Sequence, residues 1–436
     1  MADHVSGHEA AAVTVVGDGK RSVGRRELIG LLAMVMAVTA LSIDLMLPAF
    51  GEIRTEFGLS PDSTAVARLV TVYLLGLSVS QLVYGVLSDR FGRRPIIFAG
   101  LGIYMLAAVA SALAPGFGWL LGARFLWGVG AAAPRVMTLS VVRDTHSGEQ
   151  MAKLMSFIMA VFILVPVFAP SVGALMTAWV SWRGMFGFAA IVVLLVGLWA
   201  LRLPETLRPE NRLTLTWSDV GRAGRFVLTT RSTIGYTISF TFLFGVFVSY
   251  LASSELIFSD VFGRRDQFPI IFGGLAAVMG LGMFVNGTLV ERLGLTRLIR
   301  MVAAGYLVAS AALVAIALLT GGTPGFWLFI FGLVLVLTCH ALLMPNINSA
   351  AMVPMGAIAG TASAIIGTLS LAGGAVIGTV IDRSFDGTIT PMSVAFLVCG
   401  LGAWVFTRVA MGEMGPLSSP VPAASTESRS NQAPRT

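Results

Sequence analysis

Three charged residues stand inside runs of sequence that are otherwise apolar. They are Asp44 in Ser42-Ile-Asp44-Leu-Met-Leu-Pro48, Arg124 in Arg124-Phe-Leu-Trp127-Gly128, and Arg135 directly after Pro134. One Asp or Arg at the centre of a membrane helix costs about 2.5–3.5 kcal/mol on insertion scales. A carboxylate kept at that cost needs a cavity or a partner. Burial disfavours its charge and a nearby cation favours it, so the opposed effects poise it to take up and release a proton. By rise per residue, Asp44 and Arg124 fall in the same half of a bilayer, so the spacing permits an Asp44–Arg124 contact that protonation would weaken. A fixed pair serving packing alone is the plainer alternative. For Arg135 three readings stand open: a ligand's anionic group, a carbonyl freed by the proline, or a side chain reaching for water.

A second constellation lies in a loop, Gly85-Val-Leu-Ser-Asp89-Arg90-Phe-Gly92-Arg93-Arg94-Pro95. Asp89 falls at a helix C-terminus, where the dipole disfavours an anion. It therefore needs Arg90, Arg93 or a neighbouring helix N-terminus. Gly85 and Gly92 permit close approach and a tight turn. Such a cluster is expected to latch one side of the molecule and release as two halves rock. The pattern returns 202 residues later as Gly287-Thr-Leu-Val-Glu291-Arg292-Leu-Gly294.

The elements that hold these residues follow from hydropathy. Hydrophobic residues are 56% of 436 and charged ones 12%, half the charge of a soluble domain, which is about a quarter. About twelve apolar runs are long enough to cross a bilayer, from 28–50 to 391–412. In lipid they must be helices, because the backbone has to satisfy its own hydrogen bonds. The expected organisation is a polar N-terminus over 1–27, six helices over 28–203, a central loop over 204–232, six helices over 233–412 and a tail over 413–436. Both ends are expected to be disordered. With both termini inside, the inner segments hold about 21 of the 29 basic residues, which sets an N-in, C-in orientation. The repeated loop supports two related halves around a central site.

Other positions are candidates of lesser weight. Pro166, Pro170 and Gly173 predict a kinked, closely packed fifth span. Phe240, Phe244, Phe247 and Tyr250 follow helical spacing in the seventh span and are expected to line an apolar cavity or to face lipid. Tyr73, Gln81 and Asn346 are further cavity candidates. His340 reads as a packing residue, and Glu255 and Asp382 as interface residues at outer helix ends. The Asn286 glycosylation sequon falls within a span. Cys339 and Cys399 give no disulfide or metal spacing. No constellation for enzyme chemistry stands out, and no nucleotide-binding loop of the G-x-x-x-x-G-K-[ST] type is present.

The loop from Gly85 to Pro95 resembles the signature of the major facilitator superfamily. Asp44-Leu-Met-Leu-Pro48, Arg124-Phe-Leu-Trp-Gly128, Val142-Arg143-Asp144, Pro166-Val-Phe-Ala-Pro170 and Pro204-Glu205-Thr206-Leu207 together resemble its Bcr/CflA drug-resistance family. So do Ser253-Ser254-Glu255, Met344-Pro-Asn346 and Ala359-Gly-Thr-Ala-Ser-Ala364. The resemblance implies an all-helical protein in a bacterial inner membrane, and a monomer is the simplest expectation. It would export small amphipathic compounds such as bicyclomycin, sulfonamides or phenicols, with a proton gradient and no cofactor. Asp44 and Arg124 would carry over as the coupling acid and its arginine. Pro166 to Ala174 resembles the antiporter signature, with alanines at 169 and 174 where glycine is preferred. Arg135 departs from a stretch that is small and apolar in the family, and Glu255 from a proline. A sugar or amino-acid transporter on the same fold is the alternative.

Overall fold

A computed structural model describes residues 15–16, 22–61, 63–146, 148–177, 179–207, 210 and 217–412. Among them are twelve helical spans long and apolar enough to cross a membrane. In the first half lie α1 (Arg25–Asp44), α2 (Phe50–Glu56), α3 (Arg68–Phe91), α4 (Arg93–Ala112), α5 (Phe117–Thr145), α6 (Gly148–Thr177) and α7 (Trp182–Ala200). A connecting helix, α8 (Trp217–Thr229), follows. The second half holds α9 (Arg231–Leu256), α10 (Phe268–Leu293), α11 (Leu295–Leu319), α12 (Phe326–Met352), α13 (Ala359–Asp382) and α14 (Thr390–Met411). The end of the bundle where α1 starts is its basic end. It carries Arg25, Arg93, Arg143, Arg202 and Arg292.

The core of each half is tight. α5 packs against both α3 and α4, while α9 packs against α13 and α14. Gly128 shows how closely. A Cβ there would stand 1.9 Å from the Tyr73 carbonyl oxygen, so α3 and α5 meet backbone to backbone. Small residues allow this contact where no water exists to drive association by hydrophobicity. The halves meet along two seams, α3 with α13 and α6 with α10. At the second, a Cβ on Gly273 would lie 2.5 Å from the Val167 oxygen.

Two expectations change. The first span is not one continuous helix. Pro48 has no N–H to offer the Asp44 carbonyl, so α1 ends at Asp44, a 3₁₀ turn forms over Leu47–Ala49, and α2 resumes the path. The central segment 204–232 is not all loop. Within it α8 buries Val220, Ala223 and Val227 and leaves Arg222, Arg225 and Phe226 outward. The expected terminal disorder falls mostly outside the described residues. Inside them, Val15–Val16 pairs with Ser22–Val23 in a two-residue antiparallel bridge.

Candidate functional site: an unpaired acid and two arginines inside the bundle

Asp44 sits where α1 breaks. It is 4% exposed, and it makes no hydrogen bond or ion pair among the described residues. Its oxygens are nonetheless not sealed from open space. Tyr250, on the other half, lies within electrostatic reach of it.

The expected Asp44–Arg124 contact is absent. Arg124 instead donates to the Ser42 carbonyl at 2.9 Å and to the Leu69 carbonyl at 3.4 Å. Its guanidinium lies 4.8 Å from the ring centroids of both Tyr73 and Trp127. The reason is local. The helix break leaves carbonyls near residue 42 short of donors, and two aromatic faces supply the attraction a carboxylate would have given. Tyr73, read as a cavity candidate, is fully buried beneath this arginine. Its hydroxyl donates to the Thr39 carbonyl at 2.9 Å and lies 2.7 Å from Ser42 Oγ.

Arg135 lies on the same face of α5 as Arg124, since eleven residues are three turns. It is half-buried and has no hydrogen bond or ion pair among the described residues. The carbonyl freed by Pro134 is not its partner.

The remaining cavity candidates divide. Gln81 bridges the halves, donating to Thr368 Oγ1 at 3.3 Å, and Thr368 donates to the Ser78 carbonyl at 2.9 Å. Phe240 and Phe244 stack on each other with centroids 6.3 Å apart. Phe247 stacks on His340 at 5.4 Å, and Tyr250 on Phe272 at 5.8 Å. Neither ring nitrogen of His340 is hydrogen-bonded. Asn346 pairs with Asn286 of α10, at 2.7 and 3.3 Å. In α6, Pro166 and Pro170 lie inside a continuous helix, and Gly173 faces the Leu45 carbonyl of the broken first span.

At the basic end the signature loop forms around Arg93. Its guanidinium meets Asp89, Ser88 Oγ at 2.8 Å and Asp144 at 2.8 Å. Glu205 accepts the Arg93 and Arg94 backbone N–H groups at 2.8 and 3.1 Å, an anion at the start of α4. Gly92, at φ 102°, makes the turn, and a Cβ there would meet the Glu205 carboxylate at 2.4 Å. Arg90 stacks on Phe91 and does not pair with Asp89. These partners of Arg93 all belong to the first half, so the cluster ties α3, α4, α5 and the segment after α7 together without latching the two halves. A Cβ on Gly85 would meet nothing within 4 Å, so this glycine marks no close approach. The repeat is looser. Gly294 reproduces the turn at φ 75°, but Leu295 stands where Arg93 does, and Glu291 and Arg292 are exposed. Asp144 and Glu205 belonged to motifs visible in the sequence, yet nothing in spacing tied them to Arg93.

The opposite end corrects the reading of Glu255 and Asp382 as exposed. Glu255 is 3% exposed and pairs with the equally buried Arg54 across the halves at 2.8 Å. Arg54 also donates to the Ser63 carbonyl at 3.0 Å. Asp382 accepts from Ser249 at 2.6 Å and borders a cavity of about 230 Å³ between the halves, with Arg68, Thr71 and Thr379. Thr71 and Thr379 hydrogen-bond across the seam at 3.0 Å. No group of three or more metal-ligating side chains occurs among the described residues.

Twelve spans in two halves, with charge held at the seam and inside the bundle, define a multi-pass membrane transporter. The chain belongs to the Major Facilitator Superfamily, whose family model matches residues 32–379. It is 29% identical over 377 residues to a bicyclomycin resistance protein homolog of Haemophilus influenzae, covering 85% of this chain and 92% of that one. A chloramphenicol resistance protein of Pseudomonas aeruginosa is 28% identical over 66% of this chain and 67% of its own. Among solved structures, a D-xylose-proton symporter shares the fold, with TM-score 0.68 and 16% identity over 89% of this chain and 97% of that one.

Proposed function

We propose that this chain exports small drug-like molecules from the bacterial cytoplasm in exchange for protons. The basic end faces the cytoplasm on this reading, in keeping with the positive-inside rule. The observation that carries it is Asp44, a buried carboxylate inside the bundle with no partner among the described residues, at a helix break and beside the second half. A group so placed is a functional-site hypothesis by default. It can hold a proton while the site is sealed and exchange it when water enters. The names of the relatives support export of drugs over uptake of sugars. Arg124 acts here as a positioning residue. By holding the Ser42 carbonyl it fixes the end of α1 and so the place of Asp44.

Transport in vesicles with an imposed pH gradient tests the reading. Chloramphenicol and bicyclomycin are the substrates, with wild type beside Asp44→Asn. Gradient-driven accumulation by wild type is expected, with at least a tenfold loss in Asp44→Asn, about 1.4 kcal/mol or more of driving force. Substrate exchange without a gradient should persist in the variant. Normal gradient-driven transport by Asp44→Asn would move the proton carrier elsewhere.

A further inference from the structure

We infer that Arg135 reads an anionic group on the transported molecule, so that the preferred substrates are organic acids carrying a carboxylate or similar anion. The inference rests on the exporter reading and adds a substrate class to it.

Among the acids of the first-half helices whose side chains are described, all are engaged with one exception. Glu27 pairs with Arg202, Glu52 accepts the Trp182 N–H, and Glu56 pairs with Arg183. Asp89 and Asp144 share Arg93. Only Asp44 has no partner among them. Of the two arginines inside the apolar part of α5, Arg124 is sealed and held by carbonyls and two aromatic rings. Arg135 has none of these holds.

Its position excludes the bland explanations. Ten residues separate Arg135 from Thr145, so its Cα lies about 15 Å from the basic end of the helix. That is too far for an arginine side chain to place its head fully in bulk water. Nor does it point at lipid. Arg124, Gly128 and Arg135 share one stripe, and Gly128 meets the Tyr73 backbone while Arg124 meets Ser42 and Leu69, so the stripe faces α1 and α3. Tyr73 of α3 lies within electrostatic reach of Arg135. Yet it is only half-buried and its nitrogens are not sealed. The guanidinium therefore borders an opening inside the bundle. An uncompensated cation in such an opening favours an anion there, and its planar fork matches a carboxylate with two parallel hydrogen bonds.

Asp44 stands unpaired at a different level, nearer the opposite end. One unpaired base for the cargo and one unpaired acid for the proton keep the two tasks on separate residues.

The test uses the full-length protein in vesicles with a pH gradient and compares nalidixate, an anionic carboxylate at neutral pH, with neutral chloramphenicol. The readout is the ratio of their KM values in wild type, Arg135→Gln and Arg135→Lys. Arg135→Gln is expected to shift the ratio against nalidixate by about tenfold or more, and Arg135→Lys by less, because it keeps the charge and loses the fork. An unchanged ratio in Arg135→Gln overturns the inference and assigns Arg135 a structural role, even if both rates fall. Wild type that moves chloramphenicol and not nalidixate also overturns it, with the exporter reading intact. Wild type that moves neither compound overturns the exporter reading and this inference together.

Discussion

Arg124 and Gly128 sit four residues apart on one helix face and should respond to substitution to very different degrees. Arg124 is buried without an anionic partner, so its removal breaks no ion pair. What is lost is two ring contacts and one good hydrogen bond. What is regained is the cost of burying the charge. These offset, and Arg124→Gln should change unfolding free energy by no more than about 2 kcal/mol, while slowing gradient-driven transport through the misplaced end of α1. Gly128 offers no such compensation. A side chain there meets backbone at 1.9 Å, which no rotamer relieves. Gly128→Val should cost about 3 kcal/mol or more and leave little folded protein, because α3 and α5 must separate along their length. Thermal melting of detergent-purified variants measures both. A melting loss for Arg124→Gln as large as that for Gly128→Val would mean the arginine is a structural pin.

Elements meet most tellingly at the end opposite the basic one. The Arg54–Glu255 pair joins the broken first span to the end of α9, and both partners are almost fully removed from solvent. Removing one partner strands the other charge. Glu255→Leu should therefore destabilise the protein by about 3–5 kcal/mol, and the double variant Arg54→Leu with Glu255→Leu should recover most of it. A double-mutant cycle in melting experiments decides, and additive losses would show that the pair is not coupled. This contact marks what was legible in the sequence and what was not. The twelve apolar runs, the two-half division and the turn glycines at 92 and 294 could be read directly, because each depends on local composition. Glu255 could be flagged as an acid in place of a proline, but its partner lies 201 residues away and no periodicity links them. The same limit applies to Arg93. Its own loop was visible, while Asp144 and Glu205 arrive through packing of α5 and α7. The expected Asp44–Arg124 contact failed for a third reason. Opposite charges in the same half of a bilayer say nothing about whether carbonyls and rings have already occupied the cation.

At the scale of the whole molecule, export needs a free-energy source, and the proposed exchange fixes how it should depend on voltage. One proton moving inward carries one charge, worth about 2.3 kcal/mol per 100 mV. At about 1.4 kcal/mol per tenfold ratio, a neutral substrate exchanged for one proton can be concentrated tens-fold by that potential alone. An anionic substrate leaving as the proton enters moves two charges in the same electrical sense. Its gradient should therefore respond twice as steeply, in logarithmic terms, to the same potential. Vesicles with an imposed potassium diffusion potential and no pH difference measure this directly. Chloramphenicol accumulation is expected to rise with potential, and nalidixate accumulation to rise with about double its slope. Accumulation of chloramphenicol that ignores the potential would mean that no net charge accompanies it. One-for-one exchange with a proton would then be wrong. Equal slopes for the two compounds would mean that the acid leaves as its neutral form, which would remove the need for a cation at residue 135.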